Sequence, residues 1–307
     1  ATVGWTPSSD IVNALEPVAP TIQKAIFGYG KTSSDVSLTN LVNSSGVVAT
    51  DVTGVGTARN NLAASSYGGD KAIFGYGRTS TQVSMTNLVN NSGVVATDVS
   101  GVGTARQSLA AASYGGDKAI FGYGTDSSLT NLVTNQGVVG NDVSGVGTAR
   151  NDLAAASYGG DKAIFGYGYY YSGGVVNYSL TNKVSNSGVV ASDTTGVGTA
   201  RYLLAAAGYG GDKAIFGFGT TGSVTGLTNL VSNTGVVASN VSAVGTARKG
   251  LAAAGYGGDK AIFGYGTTGS LTAITNLVNN SGVVASDVSG VGTAREKPAA
   301  AGFSYAS

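Results

Sequence analysis

A seven-residue stretch, Lys-Ala-Ile-Phe-Gly-Tyr-Gly, occurs six times in this 307-residue chain, with Phe in place of Tyr in the fifth copy. A long period of near-identical copies indicates a repeat protein, in which each unit buries its apolar face against the next. We therefore predict an N-terminal arm over residues 1–23 and one repeat domain over residues 24–307. The copies lie 44 to 51 residues apart and start at Lys24, Lys71, Lys118, Lys162, Lys213 and Lys260.

All six units follow one pattern, and the first unit illustrates it. Residues 24–30 are β-prone and lead through a loop into residues 37–42, which alternate as a strand does. An Asn/Ser/Gly turn precedes a third apolar segment at residues 47–52, and a glycine-rich corner follows at residues 54–59. A strand of small residues at 62–67 then ends in a Gly-Gly-Asp turn, which supplies the positive φ of a tight hairpin. The pattern predicts a four-stranded antiparallel meander.

Only one segment of the unit varies in length. The strand Asn, Asn40 in the first unit, lies 19 residues before the corner Arg in all six copies, and 12 residues separate that Arg from the next Lys. The loop after Gly-Tyr-Gly carries all of the variation. A fixed framework with one variable loop per unit is typical of a binding scaffold.

The two ends of the chain complement each other. Residues 12–20 contain prolines where the first unit needs its small-residue strand, whereas residues 298–303 continue the last unit with Ala-rich sequence. We therefore predict that the C-terminal strand completes the first unit in a closed ring, which removes exposed sheet edges. Four-stranded units in a closed ring predict an all-β fold, a six-bladed β-propeller of four-stranded antiparallel blades.

The repeat also resembles a known family. Arg59, the small-residue strand at residues 62–64 and the aromatic strand ending in glycines at residues 71–77 resemble the kelch repeat. The resemblance covers residues 24–307 and implies a β-propeller. The near-identity of the copies and their Ser/Thr/Asn-rich composition are similar to repeat proteins of tailed-phage genomes, which implies a virion or extracellular location.

The composition argues against several classes of function. Charged residues make up 11% of the chain, the net charge is +1, and the charges repeat with the units, so no basic patch for nucleic acid is expected. No apolar run approaches the length of a membrane span. The chain has no His and no Cys, which excludes Ser-His-Asp and Cys-His catalysis and His- or Cys-based metal sites. We predict a protein that is not an enzyme and binds no cofactor or metal.

A repeated corner Arg has two interpretations. Six guanidinium groups at the mouth of a central channel could bind an anion. Alternatively, each Arg could tie its corner to carbonyl groups or to the Asp eight residues before it, Asp51 for Arg59, and we favour this structural role. The Asn of the second strand is expected to bond the backbone of a neighbouring strand. The arginines are Arg59, Arg106, Arg150, Arg201, Arg248 and Arg295.

The variable loops supply the candidate binding residues. The fourth loop, residues 167–178, combines Tyr with Ser, Gly and Asn, the composition of antibody contact loops. We predict a scaffold that recognises a glycan or a protein receptor through these loops. The alternative is a structural building block that packs against neighbouring virion subunits. The predicted ligand-binding residues are Tyr169, Tyr170, Tyr171, Tyr178, Lys31, Asp35, Arg78 and Asp126.

Overall fold

The structure, a computed structural model, describes residues 22–242 and 244–305. The predicted arm lies outside these residues except for its last two positions. The described residues form an all-β fold without a helix. The strands are β1 Ile22–Gly28, β2 Thr39–Val42, β3 Ala63–Tyr67, β4 Lys71–Gly75, β5 Thr86–Val89, β6 Ala110–Tyr114, β7 Lys118–Gly122, β8 Thr130–Val133, β9 Ala154–Tyr158, β10 Lys162–Gly166, β11 Tyr169–Tyr171, β12 Val175–Asn177, β13 Thr181–Val184, β14 Ala205–Tyr209, β15 Lys213–Gly217, β16 Thr228–Val231, β17 Ala252–Tyr256, β18 Lys260–Gly264, β19 Thr275–Val278 and β20 Ala299–Tyr305.

Each repeat forms a three-stranded antiparallel sheet whose middle strand is the Lys-Ala-Ile-Phe-Gly stretch. This strand is buried on both faces, and its Ala, Ile and Phe side chains have no exposed surface. The small-residue strand lies on one side of it and the Thr-Asn-Leu-Val strand on the other. We number the sheets as units 1 to 6: β20-β1-β2, β3-β4-β5, β6-β7-β8, β9-β10-β13, β14-β15-β16 and β17-β18-β19.

The predicted fourth strand is wrong. Residues 47–52, which we call the outer segment of unit 1, meet β2 only at two isolated bridges, Val42↔Val48 and Thr39↔Val52. The outer segment takes four steps between these bridges while β2 takes three, so one extra residue breaks the ladder as a β-bulge does. The same pair of bridges occurs in the other five units. The sequence alternates like a strand, but its register does not match that of its neighbour.

The C-terminal strand completes the first unit, as predicted. β20 pairs with β1 in an antiparallel register that includes Lys24↔Phe303 and Gly28↔Ala299. The first strands β3, β6, β9, β14, β17 and β20 contact each other in this order, and β20 also contacts β3. The units therefore form a closed cycle of contacts.

Backbone hydrogen bonds between the Gly-Gly-Asp turns follow the same closed cycle. The N–H of Gly68 donates to the Asp117 carbonyl at 2.7 Å, and each later turn repeats this bond with its successor. Gly257 donates to Gln23 and Ser304 to Asp70, which joins unit 6 to unit 1 and unit 1 to unit 2.

Aromatic packing joins neighbouring units. The Phe74 ring of unit 2 lies 5.1 Å from the Tyr29 ring of unit 1, measured between centroids. A Cβ on Gly28 would lie 2.7 Å from the Phe74 ring, so glycine at this position lets the next unit approach. The first strands need small residues for a related reason, since all six line one central cavity of about 150 Å³.

Candidate functional site

The corner arginines are buried between units. Arg59 has no exposed surface, and its guanidinium donates to the Tyr76 carbonyl at 2.9 Å, the Thr57 carbonyl at 3.1 Å and the Asn87 Oδ1 at 2.7 Å. Its other face lies over the Tyr29 ring, 4.4 Å from the centroid. Such a guanidinium has no free face for an external anion. The structural interpretation of the repeated Arg is confirmed by these contacts.

The expected Arg–Asp pairing within one unit is wrong. Arg59 faces Asp98 of the next unit, 3.9 Å away, and Asp51 faces Arg295, 4.0 Å away. The corner leaves one sheet and enters the next, so its guanidinium meets the outer segment of the following unit. Sequence distance alone did not show this offset of one unit.

Each outer-segment Asp binds the corner of the preceding unit. Asp98 accepts hydrogen bonds from the Thr57 N–H at 3.0 Å, the Thr57 hydroxyl at 2.6 Å and the Asn87 amide at 2.9 Å. Asn87 also donates to the Ala96 carbonyl of the outer segment, as expected for the repeated Asn. Burial raises the pKa of Asp98, but the hydrogen bonds outweigh it and the pKa lies below its ordinary value. The bulged outer segment thus presents this carboxylate to the corner of the neighbouring unit.

The predicted loop residues lie at one end of the sheets but play different roles. Lys31 and Arg78 are exposed, whereas the Asp35 carboxylate accepts a hydrogen bond from the Asn60 amide at 2.5 Å. Asp126 accepts the equivalent bond from Asn151 at 2.6 Å. The two carboxylates therefore have partners within the fold as well as a position in the loops.

The fourth loop forms a two-stranded hairpin from β11 and β12. Tyr171 at its tip is 61% exposed, and Tyr170 and Tyr178 are half-buried. Tyr169 at its base packs against Tyr202 of unit 5, with ring centroids 4.8 Å apart, and burial raises the pKa of Tyr169 to about 12. The tyrosines of the hairpin therefore differ in role: Tyr171 at the tip is exposed to solvent, and Tyr169 at the base packs the hairpin against the next unit.

Two residues after each corner Arg form a second variable surface, which the sequence reasoning missed. This post-arginine pair keeps its length in every unit, but its identity changes in all six. Its first residue is hydrogen-bonded to the start of the neighbouring loop. In unit 2 the Asn60 N–H donates to the Arg78 carbonyl at 3.0 Å, and the Arg78 N–H donates to the Asn60 carbonyl at 2.9 Å. Substitution at constant length was the available signal. The pairs are Asn60-Asn61, Gln107-Ser108, Asn151-Asp152, Tyr202-Leu203, Lys249-Gly250 and Glu296-Lys297.

The second residue of each pair has a left-handed backbone. The values of φ lie between 47° and 61°, although only one of the six residues is glycine. The N–H of Ser108 donates to the Asn61 carbonyl at 2.9 Å, and the following units continue this chain as far as Lys297. These residues, with the five leucines and Pro298 that follow them, line a depression of about 70 Å³. We call the side of the molecule formed by the loops and the post-arginine pairs the loop face.

The described residues show no feature of a metal site or of a membrane-spanning helix. Within residues 22–242 and 244–305, no three His, Cys, Asp or Glu side chains are grouped so that they could hold a metal. The described residues also contain no helix that is long and apolar enough to span a membrane. Protein-family models give no match to the chain, and curated proteins give none either.

Proposed function

We propose that the protein is a six-bladed β-propeller that binds a partner through its loop face and catalyses no reaction. The closed cycle of six units supports this architecture. Each sheet together with its bulged outer segment supplies the four segments of a blade. The kelch-like pattern of Arg, small-residue strand and aromatic strand agrees with it.

The distribution of non-repeated charges carries the functional proposal. Nine charged residues of the described chain have no charged counterpart in most copies of the repeat, and eight of these belong to the loops or the post-arginine pairs. Residues that maintain the fold are repeated with it, whereas residues that recognise an asymmetric partner need not be. The ninth residue, Lys183, lies on β13. The eight are Lys31, Asp35, Arg78, Asp126, Asp152, Lys249, Glu296 and Lys297.

The leading ligand class is a glycan on a cell surface. Exposed Tyr171 and half-buried Tyr170 offer rigid aromatic area on a hairpin whose base pairs with Asn151, the hydrogen-bonding partner of Asp126. Aromatic rings of this kind pack against partners at low cost in conformational entropy. A location on a virion or another extracellular surface follows from the resemblance to tailed-phage repeat proteins.

A glycan array compares the native chain with a variant in which Tyr169, Tyr170 and Tyr171 are all Ser. We expect native binding to fall at least about tenfold in the variant, as the loss of buried aromatic anchors predicts. The matched control is Asp161→Ser, a turn residue at the opposite end of the sheets. Binding that survives the Tyr changes but is lost in the turn variant would assign recognition to the opposite face. An array without any hit contradicts the proposal that the ligand is a glycan.

The second candidate function is a structural building block, and exposed valines favour it. Six equivalent valines of the outer segments, Val47 among them, are 59 to 66% exposed around the rim of the cycle. Exposed apolar area of this kind often marks a protein interface. Light scattering across a range of protein concentrations tests the idea. Growth of large assemblies, and their loss when Val47 and its five equivalents become Thr, would favour it over recognition.

A further inference from the structure

The depression at the centre of the loop face contains two opposite charges. Asp152 belongs to unit 4 and Lys297 to unit 1, so two units lie between them in either direction around the cycle. Both residues line the depression, together with Asn61, Ser108, Leu203 and Gly250 and the residue that follows each of them. No ion pair joins the two charged groups within the described structure. The depression therefore has an acidic side and a basic side.

The backbone of this ring is held in a costly conformation. Five of the six second residues carry a side chain at φ between 47° and 57°, where glycine would cost least. A merely structural ring could use glycine in every unit, as Gly250 does. The ring therefore keeps five side chains at the rim of the depression at some cost in backbone energy.

The Asp152 carboxylate lacks a strong partner. Ser108 is its hydrogen-bonding neighbour and Lys297 its charged neighbour, but burial outweighs both and raises the pKa of Asp152 above its ordinary value. A half-buried carboxylate whose charged form is disfavoured gains from a cation that approaches closely. A bare cation would be repelled by Lys297 on the opposite side, whereas a molecule with one charge of each sign would not.

We propose that this depression binds a small zwitterion that carries an ammonium and a carboxylate group, as an α-amino acid does. The ammonium lies against Asp152, the carboxylate lies against Lys297, and the leucine floor receives apolar atoms. A cavity needs about 10–15 Å³ of such space for each water molecule, so 70 Å³ holds about five non-hydrogen atoms. Glycine has five, and a larger side chain would project outward from the loop face. The inference rests on the proposed function in treating this face as the binding side.

Calorimetry of the full chain with glycine, alanine, methylammonium chloride and sodium acetate tests the proposal at constant ionic strength. We expect saturable 1:1 binding of the zwitterions and at least about tenfold weaker binding of the ions that carry one charge. Absence of saturable zwitterion binding overturns the proposal. Equal binding of methylammonium and glycine does so as well, because Lys297 would then have no role.

Variants separate recognition from structure. Asp152→Asn and Lys297→Gln should each weaken glycine binding at least about tenfold, while the control Lys183→Gln, on β13 and outside the loop face, leaves it unchanged. The double variant Asp152→Lys with Lys297→Asp should recover binding to within about threefold, since a zwitterion can turn around. Failure of this variant to recover binding, with an unchanged melting temperature, contradicts the assignment. If it does not fold, the native-chain comparison decides.

The array variant distinguishes this site from the proposed function. A form of the array variant that keeps Tyr169, with Tyr170→Ser and Tyr171→Ser alone, should bind glycine like the native chain, because these two residues do not line the depression, whereas Tyr169 lies close enough to Asp152 to act on its charge. Loss of glycan binding with intact glycine binding leaves both proposals standing. If the native chain binds glycans but no zwitterion, the proposed zwitterion site is wrong and the proposed function still stands.

Discussion

At the scale of single residues, the corner arginine shows how a buried charge is accommodated. Removal of a guanidinium from water is costly unless its donors and its face find partners. Arg59 places donors on two carbonyls and an amide oxygen and its face on a tyrosine ring. The contacts extend across two units, so the same residue holds the corner in shape and joins neighbouring sheets.

Replacement of Arg59 by Ala should therefore destabilise the protein. The Asn87 Oδ1 and two carbonyls would lose their donor in a buried site, which costs about 1–3 kcal/mol in the free energy of unfolding. Denaturant unfolding measures this change. Arg78→Ala is the matched control, since that arginine is exposed in its loop. Equal stability of the two variants would contradict the structural role of Arg59.

Phe218 cannot make a hydrogen bond that the tyrosine at the same position makes in the other five units. In the other five units the corresponding tyrosine hydroxyl donates to a carbonyl of the corner, as Tyr29 does to Val55 at 3.0 Å. Phe218 occupies the same buried position without a hydroxyl. We expect Phe218→Tyr to stabilise the chain by about 0.5–1.5 kcal/mol, the usual net value of such a bond. A lower thermal midpoint in the variant would show that unit 5 cannot accommodate the hydroxyl.

At the scale of elements, the corner depends on a glycine. Gly56 has φ of +79°, and a Cβ there would overlap the Asp98 carboxylate of the next unit. Gly56→Ala should thus destabilise the protein by more than the roughly 1–2 kcal/mol of the left-handed backbone alone. Gly116→Ala is the matched control. Gly116 has φ of +82° with open space around it, so this variant measures the free-energy cost of the left-handed backbone alone. Equal unfolding free energies for the two variants would show that the corner yields to the extra atom.

The elements also show what the sequence could predict. Period and alternation located the small-residue strand, the Lys-Ala-Ile-Phe-Gly strand and the Thr-Asn-Leu-Val strand of each unit. The prolines before Lys24 indicated that the C-terminal strand completes the first unit. The bulge could not be predicted, because Val48 and Val52 are an even number of residues apart, as on one face of a regular strand, and the extra residue matters only against β2. The register of Arg59 with Asp98 depends on how one sheet follows another, which spacing within a unit does not contain. The post-arginine pair was visible in the sequence but does not change in length.

At the scale of the whole molecule, closure depends on β20. A chain that ends at Lys297 leaves one edge of β1 unpaired and removes Phe303 from the core. We expect a much lower melting temperature and self-association through the free edge. Addition of a peptide with the sequence of residues 298–307 should restore the melting temperature, and a scrambled peptide should not. Native-like melting of the shortened chain without peptide would contradict the closure.

Acid should weaken five of the six contacts between units together, because the sixth has Asn240 in place of the outer-segment Asp. Hydrogen bonds hold the pKa of Asp98 and its equivalents Asp51, Asp142, Asp193 and Asp287 below the ordinary value in spite of burial. A lowered folded-state pKa gives stability that is present above the unfolded-state pKa, about 3.9, and is lost as the pH falls through the folded value. The raised pKa of Asp152 changes the stability with pH in the opposite direction, but Asp152 is a single group and the outer-segment aspartates are five.

The chain has no His, so we expect a constant melting temperature between about pH 6 and 8 and a cooperative loss of stability below about pH 4. Calorimetric scans across this range measure it. A midpoint that stays constant down to about pH 3 would show that the five carboxylates contribute little.

The contact between units runs head to tail: a corner on one unit and an Asn–Asp pair on the next. Each repeat therefore carries both halves of its own interface. An interface of this type makes a ring when its rotation closes and an open filament when it does not. Six separate copies of one repeat should accordingly assemble without any covalent link, as a homohexamer with true sixfold symmetry. The single chain then differs from that hexamer mainly in its freedom to make each loop and each post-arginine pair different.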